Sequence, residues 1–221
     1  YGYGKQNLYL LKIKILQGDQ VLDEKEERIG LRKVVLSQVE DTYGESFTFY
    51  LNDIAIFAKG SNYIPEDNLL GRTNKDLTYR LLKAALDANH NMIRVWGGGI
   101  YPPDYFYDIC DELGLMVWQD LMFACSIYPM DRSCFSLNIK KEITAVLKRI
   151  RNHPSIVLIC GNNENETAIE HWHIPSLELS KQFFLEQYTK LIPPLVEEYF
   201  PNIPYWRSSP ASKEYFKDSN A

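Results

Sequence analysis

The sequence has 221 residues, 45% hydrophobic and 24% charged, the ordinary balance of a globular chain of one or two domains. Its net charge of −5, with no basic cluster, would repel a phosphate backbone and argues against nucleic acid as a partner. No apolar run approaches the ~18–20 residues of a membrane span, so a membrane role is excluded as well.

The chain opens on Tyr1 and no signal-peptide pattern precedes the first strand, which reads as a piece of a longer or processed protein. Tyr9, Leu11, Ile13 and Ile15 alternate with Lys12 and Lys14, the period-two signature of a half-buried strand. Gly18-Asp19 turns the chain toward Val21-Leu22, and the acidic stretch 23–27 reads as a solvated hairpin. A valine-rich run from Leu31 to Val39 follows, then Phe47, Phe49 and Leu51, which end at the turn pair Asn52-Asp53. Residues 1–50 are therefore expected to be antiparallel, the end of a β-sandwich.

From residue 51 onward the texture changes. Short apolar runs at Ile54–Lys59, Asn91–Trp96, Leu115–Trp118, Ile156–Cys160 and Ile203–Trp206 alternate with helical patterns. The helices read at Leu77, Leu81, Leu82, Ala85 and Leu86, then at Tyr105, Phe106, Ile109, Cys110 and Leu113. A third reads at Ile139, Ile143, Val146, Leu147 and Ile150, and a fourth from Leu179 to Tyr199. Apolar strands alternating with amphipathic helices predict an α/β fold with a parallel sheet covered on both faces. The polar residues crowd the C-terminal strand ends: Asn62, Arg94 and Trp96, Gln119 and Asp120, Asn162 to Glu164. That is where a TIM-type (β/α)8 barrel carries its catalytic groups. A barrel needs roughly 250 residues, so residues 51–221 are expected to supply its first five βα units.

RIRNHPSIVLICGNNENE, Arg149 to Glu166, carries the clearest chemistry. A polar cluster bursts out after a buried strand, which is costly unless it lines a wet cleft. A carboxylate between two amides is suited to proton transfer there. The bland alternative is helix capping, because Asn-x-x-Glu is also a capping box.

FAKGSNYIPED, NMIRVWGGGIY, YDICDELGLMVWQDLMFAC, RNHPSIVLICGNNENE and YWRSSP run in this order through nearly the whole chain. In these segments the sequence resembles glycoside hydrolase family two, most closely its β-mannosidase branch. The resemblance implies an immunoglobulin-like β-sandwich before the barrel and a retaining exo-β-mannosidase acting on β-mannosides, with no metal or organic cofactor. It implies that Glu164 is the acid/base, that Asn163 binds the sugar near its 2-hydroxyl, and that Arg94 holds the nucleophile ionised. Trp96 and Asp120 would line the sugar subsite, and the nucleophile itself would lie beyond Ala221. Trp118 is expected in the core. Tyr63 and Ile159 stand where the family often has Trp, and Pro102-Pro103 replaces an acidic position. These departures bear on substrate detail rather than reaction class. Other activities of the family (β-galactosidase, β-glucuronidase, exo-glucosaminidase) and a non-catalytic sugar-binding relic are the alternatives.

Other signals are weaker. Glu170-His171-Trp172-His173 has no third metal ligand, and Gly97-Gly98-Gly99 lacks the lysine of a phosphate loop. The four cysteines lack CxxC spacing, and three of them sit in or beside apolar runs, which predicts buried, reduced thiols. Asn165-Glu166-Thr167 is a sequon that would place a glycan against the cleft. Together the thiols and the obstructed sequon point to the cytoplasm. Glu166 reads as a helix-start residue or a network partner.

Overall fold

The computed structural model describes residues 4–172, 176–211 and 214–216, an antiparallel front followed by a parallel sheet and its helices. Strands β1 (Tyr9–Gln17) and β2 (Gln20–Ile29) form a hairpin turned by Gly18, whose φ of +60° a side chain would resist. Lys12 and Lys14 share one face with Glu24 and Glu26 and pair with them at 2.6–3.3 Å. The opposite face holds Tyr9, Leu11, Ile13 and Ile15, all exposed, so the expected half-burial is not found among the described residues. Alternation dictates which face is apolar; a two-stranded ribbon has no layer of its own to cover that face.

Strand β3 (Val34–Ser37) is followed by the short β4 (Glu40–Asp41) and β5 (Gly44–Glu45), then by β6 (Thr48–Leu51) and β7 (Ile54–Ile56). Strands β3, β6 and β7 pair antiparallel around buried Val34, Phe49 and Ile56. The β6–β7 turn is the predicted Asn52-Asp53, both at positive φ (50° and 64°), as a two-residue hairpin loop of the primed type demands. Here the expectation needs correcting. Ile54–Ile56 closes the antiparallel sheet, the boundary at residue 50 falls inside that sheet, and the parallel sheet begins only at Gly60.

The parallel sheet comprises β8 (Gly60–Tyr63), β9 (Met92–Val95), β10 (Met116–Asp120), β11 (Ile156–Cys160) and β12 (Tyr205–Trp206). Each strand pairs with the next in sequence, with no switch point of the kind that defines a doubly wound sheet. Helices fill the connections: α1 (Lys75–Asp87), α2 (Asp104–Leu113), α3 (Ser133–Ile150), and α4 (Asn165–His171) with α5 (Leu177–Leu185) and α6 (Ile192–Tyr199). In α3 all five predicted apolar positions are buried, whereas in α1 Leu82 is buried and Leu81 is exposed. The Asn74 side chain caps α1 by accepting from Leu77 N at 3.0 Å, and Gly114 at φ +73° ends α2. A π-helical stretch, Glu186–Leu191, links α5 to α6. Pro193 and Pro194 follow it and have no N–H to return to the Thr189 and Lys190 carbonyls, a physical reason for the wider turn. Among the described residues no helix is long and apolar enough to cross a membrane.

Register sorts the side chains. Asn62, Arg94 and Trp118 are aligned partners, as are Asp120, Cys160 and Trp206, so they share one face of the sheet. The alternate residues Ile93, Val95, Val117 and Gln119 are buried on the other face, where Tyr107 of α2 donates to Gln119 Oε1 at 2.6 Å. Phe47 leaves the antiparallel front to lie on the polar face, its ring 5.0 Å from Trp206 and 5.9 Å from Trp118. At the N-terminal end of β11, His153 Nδ1 lies 2.7 Å from Asp111 Oδ2, Ser155 N donates to Asp111 Oδ1, and Arg32 donates to the Pro154 and Ile156 carbonyls. The RNHPS segment thus fastens strand to helix, and front to sheet.

Candidate active site

The polar groups gather where β9, β10 and β11 end. Strand β9 projects Arg94 and strand β10 projects Trp118 and Asp120 onto the same face, because each pair is spaced or registered in steps of two. Asp120 has no exposed surface. Its Oδ1 accepts from Trp118 Nε1 at 2.9 Å and Arg94 Nε at 3.3 Å, and its Oδ2 from Arg94 Nη2 at 2.8 Å and Gly97 N at 3.0 Å. Burial pushes the Asp120 carboxyl above the ordinary range, with Arg94 and the two neutral N–H donors opposing that rise. Arg94 Nη2 also donates to Asn163 Oδ1 at 2.8 Å, and its guanidinium lies 5.8 Å from the centre of the Trp118 ring.

Glu164 stands at the exit of β11 in the left-handed conformation (φ 62°, ψ 10°), which costs an L-residue about 1–2 kcal/mol. Three contacts hold it there. Its N–H donates to the Ser209 carbonyl at 3.0 Å, while Oε2 accepts from Asn163 Nδ2 at 3.1 Å and from the Cys125 thiol at 3.3 Å. Among the described residues Oε1 meets no protein donor, so one oxygen of the carboxyl is held and the other is free. Cys125, also left-handed (φ 52°), receives the remaining Asn163 Nδ2 hydrogen at 3.6 Å and donates its backbone N–H to Asn163 O at 2.9 Å. Partial burial of the sulfur, in a residue that is otherwise exposed, and the bond to Glu164 push its thiol up, which keeps it a donor. A continuous chain of hydrogen bonds therefore runs Asp120–Arg94–Asn163–Glu164. Such an arrangement can orient a substrate and move a proton at Glu164 Oε1.

Of the predicted site residues, Glu164, Asn163, Arg94 and Asp120 come together. Trp96 stands apart from their hydrogen bonds, half-buried, with its ring against Gly98. Trp118 takes the core role expected of it only in part: it is half-buried and packs against the core, while its indole N–H is committed to Asp120. The capping-box reading does not hold either. Asn162, fully buried, accepts from Asn165 N at 3.0 Å, but Glu166 turns away from the helix start to form a two-pronged pair with Arg207 at 2.9 and 3.0 Å. Cys125 was not picked out from the sequence, although it lies within the VWQDLMFAC segment. It and Cys134 are exposed, and only Cys110 and Cys160 are buried, which corrects the expectation for the thiols. Asn165 is buried and gives its amide to Tyr188 OH at 2.7 Å, so in the folded chain the sequon says nothing about compartment. His173 lies outside the described residues, and His171 Nε2 is 3.5 Å from Glu170.

The glycine run is the tight loop expected of it. A Cβ at Gly97 would sit 2.8 Å from the Leu121 carbonyl and 2.9 Å from that of Phe123, both backbone oxygens. Gly97→Ala will therefore lower stability by about 1–3 kcal/mol, read as a fall in the thermal midpoint. An unchanged midpoint would mean that the loop gives way freely.

Compared with known proteins, the chain matches no protein-family model. It is 38% identical over 218 residues to the β-mannosidase of Bos taurus, covering 96% of this chain and 25% of that protein. It is 46% identical over 165 residues to β-mannosidase B of Thermothelomyces thermophilus, covering 74% of this chain and 19% of that protein. The crystal structure of a β-D-mannosidase from Dictyoglomus thermophilum superposes on the whole chain with a TM-score of 0.90 at 47% identity, covering 26% of that structure. The chain spans about a quarter of the length of the curated relatives that it matches over nearly all its residues. This similarity, sustained along the chain and carried by the segments that build the site, bears out the resemblance of the chain to the β-mannosidase branch of glycoside hydrolase family two.

Proposed function

We propose that the protein carrying this chain is a retaining exo-β-mannosidase that releases terminal non-reducing β-D-mannose from β-mannosides. The observation that carries the reading is the Glu164 carboxyl, held through Oε2 by Asn163 and Cys125, with no donor to Oε1 among the described residues. In the proposed reaction Glu164 Oε1 protonates the departing glycosidic oxygen. A second carboxylate attacks the anomeric carbon from about 5–5.5 Å away, in the geometry of retaining enzymes. Glu164 then takes a proton from the water that cleaves the glycosyl ester. The second carboxylate belongs to the three-quarters of the relatives' length that this chain does not span. Asn163 is oriented for the sugar: its Oδ1 keeps one lone pair beside the Arg94 bond, and its long contact to Cys125 Sγ is readily displaced by a hydroxyl.

The sequential strand order supports reading the five-stranded sheet as part of a (β/α)8 barrel, with its polar face turned to the axis and Phe47 packed on that face. The exposed apolar side of the β1–β2 hairpin suits the inner face of an immunoglobulin-like sandwich. Trp96, half-buried at the mouth of the site, is the candidate for stacking on a sugar face.

The test is a panel of aryl β-glycosides given to the full-length protein. The mannoside is expected to be turned over well ahead of the galactoside, glucoside, glucuronide and glucosaminide, with β-mannose as the first product seen by NMR. Preference for another sugar would overturn the substrate, and α-mannose as first product would overturn the retaining mechanism.

A further inference from the structure

We infer that Asp120 is a positioning residue that orients Arg94, and through Arg94 and Asn163 the Glu164 carboxyl, and that it does not itself touch the sugar. The inference rests on the glycosidase reading for its assay and on geometry for its content.

An ionised carboxylate offers about four lone-pair sites on its two oxygens. In Asp120 all four are taken, two by Arg94, one by the Trp118 indole and one by the Gly97 amide. The side chain has no exposed surface, so a sugar hydroxyl could reach it only by displacing one of these donors. Displacing the Arg94 pair would leave a buried charge unmatched, which is among the costliest changes a site can undergo.

The donors of Arg94 can be counted in the same way. Nε and one Nη2 hydrogen go to Asp120, the other Nη2 hydrogen to Asn163, and one Nη1 hydrogen reaches toward Asn62 at 3.4 Å. A two-pronged bond to a carboxylate fixes the plane of a guanidinium as well as its position. With that plane set, Nη2 meets Asn163 Oδ1, and this decides which way round the Asn163 amide sits. The amide nitrogen must then face Glu164, where it donates at 3.1 Å. Trp118 acts on the same relay twice, binding Asp120 Oδ1 through Nε1 and lying against the guanidinium. Gly97 completes it, and the carbonyls of Leu121 and Phe123 press so close there that only a hydrogen fits in place of a side chain. Segments RVWGGG and WQD thus form one device spread over two adjacent strands.

The experiment is a double-mutant cycle on the full-length protein, read as kcat/KM for 4-nitrophenyl β-mannoside and its 3-, 4- and 6-deoxy analogues, hydroxyls that Asn163 is not expected to hold. Asp120→Asn keeps the shape and removes the charge; Arg94→Gln removes the group it orients. Each is expected to lose about 10²-fold, and the double variant to be within about threefold of the worse single one, because residues acting through each other are not additive. The Asp120→Asn loss is expected to be the same on every deoxy substrate. A loss that disappears when one hydroxyl is removed would show direct contact with that hydroxyl and overturn the inference, as would losses that multiply in the double variant. Should Asp120→Asn fail to fold, Trp118→Phe removes only the indole donor. It is expected to cost about tenfold with the same indifference to hydroxyls, and no cost at all would overturn the relay. Failure of the mannosidase reading has its own signature: wild type prefers another β-glycoside. The cycle is then run on that substrate, where additivity still counts against the inference.

Discussion

Replacing Glu164 by Ala in the full-length protein will lower kcat/KM for an alkyl β-mannoside by about 10²–10⁴-fold, the range that general acid catalysis contributes. For 2,4-dinitrophenyl β-mannoside the same variant will lose little in kcat/KM, because that leaving group departs without a proton. Its kcat will fall, since the glycosyl-enzyme then waits for a base, and added azide will restore it by attacking without one. The contrast between the substrates separates loss of a proton donor from loss of fold. Alanine cannot hold φ 62° as readily as a residue tied down by Asn163 and Cys125, so some strain is expected in that variant. Glu164→Gln keeps the shape and the Oε2 contacts and will show the same dependence on leaving group. Equal losses on both substrates, or activity left intact, would remove Glu164 from the role of acid/base.

Much of this site is legible in the sequence, and the limits of legibility have physical causes. Ile139, Ile143, Val146, Leu147 and Ile150 announce a helix and its buried stripe because helical period is a local property, and all five are buried. The burst of polar residues after Ile156–Cys160 announces a cleft for a similar reason: buried strands do not end in Asn-Asn-Glu without something wet to face. What periodicity leaves open is the partner. Ile54–Ile56 reads as strand but not as antiparallel strand, although the Asn52-Asp53 turn before it already implied a hairpin. Tyr9 to Ile15 have the right alternation, and what covers their apolar face is a separate question that alternation does not touch. Trp118 is expected in the core because it sits deeper in its strand than Asp120, with which it shares a face. Its indole finds Asp120 by lying two residues away on the same face, where Arg94 is brought by cross-strand register. Cys125 meets Glu164 only because two residues on neighbouring strand ends both take the left-handed conformation, which neither residue type suggests.

Arg207→Met will cost about 3–5 kcal/mol of stability, because it strands a carboxylate inside the protein. Glu166 has no exposed surface, and Arg207 holds both its oxygens at 2.9 and 3.0 Å. Among the described residues the Phe216 amide also donates to that carboxyl, to Oε1 at 3.2 Å. Arg207 in turn stacks on Tyr215, 4.3 Å from the ring centre, so methionine, which can cover the same ring, isolates the loss of charge from the loss of packing. The pair joins the first turn of α4, just after Glu164, to the segment after β12 that supplies the Ser209 carbonyl for the Glu164 amide. Breaking it is therefore expected to lower activity as well as the unfolding midpoint in urea. The reverse arm of the test is the double variant Glu166→Leu, Arg207→Met. Two apolar groups of similar volume in place of a buried ion pair are often neutral or better, so the double variant should regain most of the midpoint that Arg207→Met loses. If it regains stability but not activity, the pair serves to place the Ser209 carbonyl under Glu164. If it regains neither, the loop after β12 depends on the Arg207 guanidinium itself rather than on the neutralisation of Glu166.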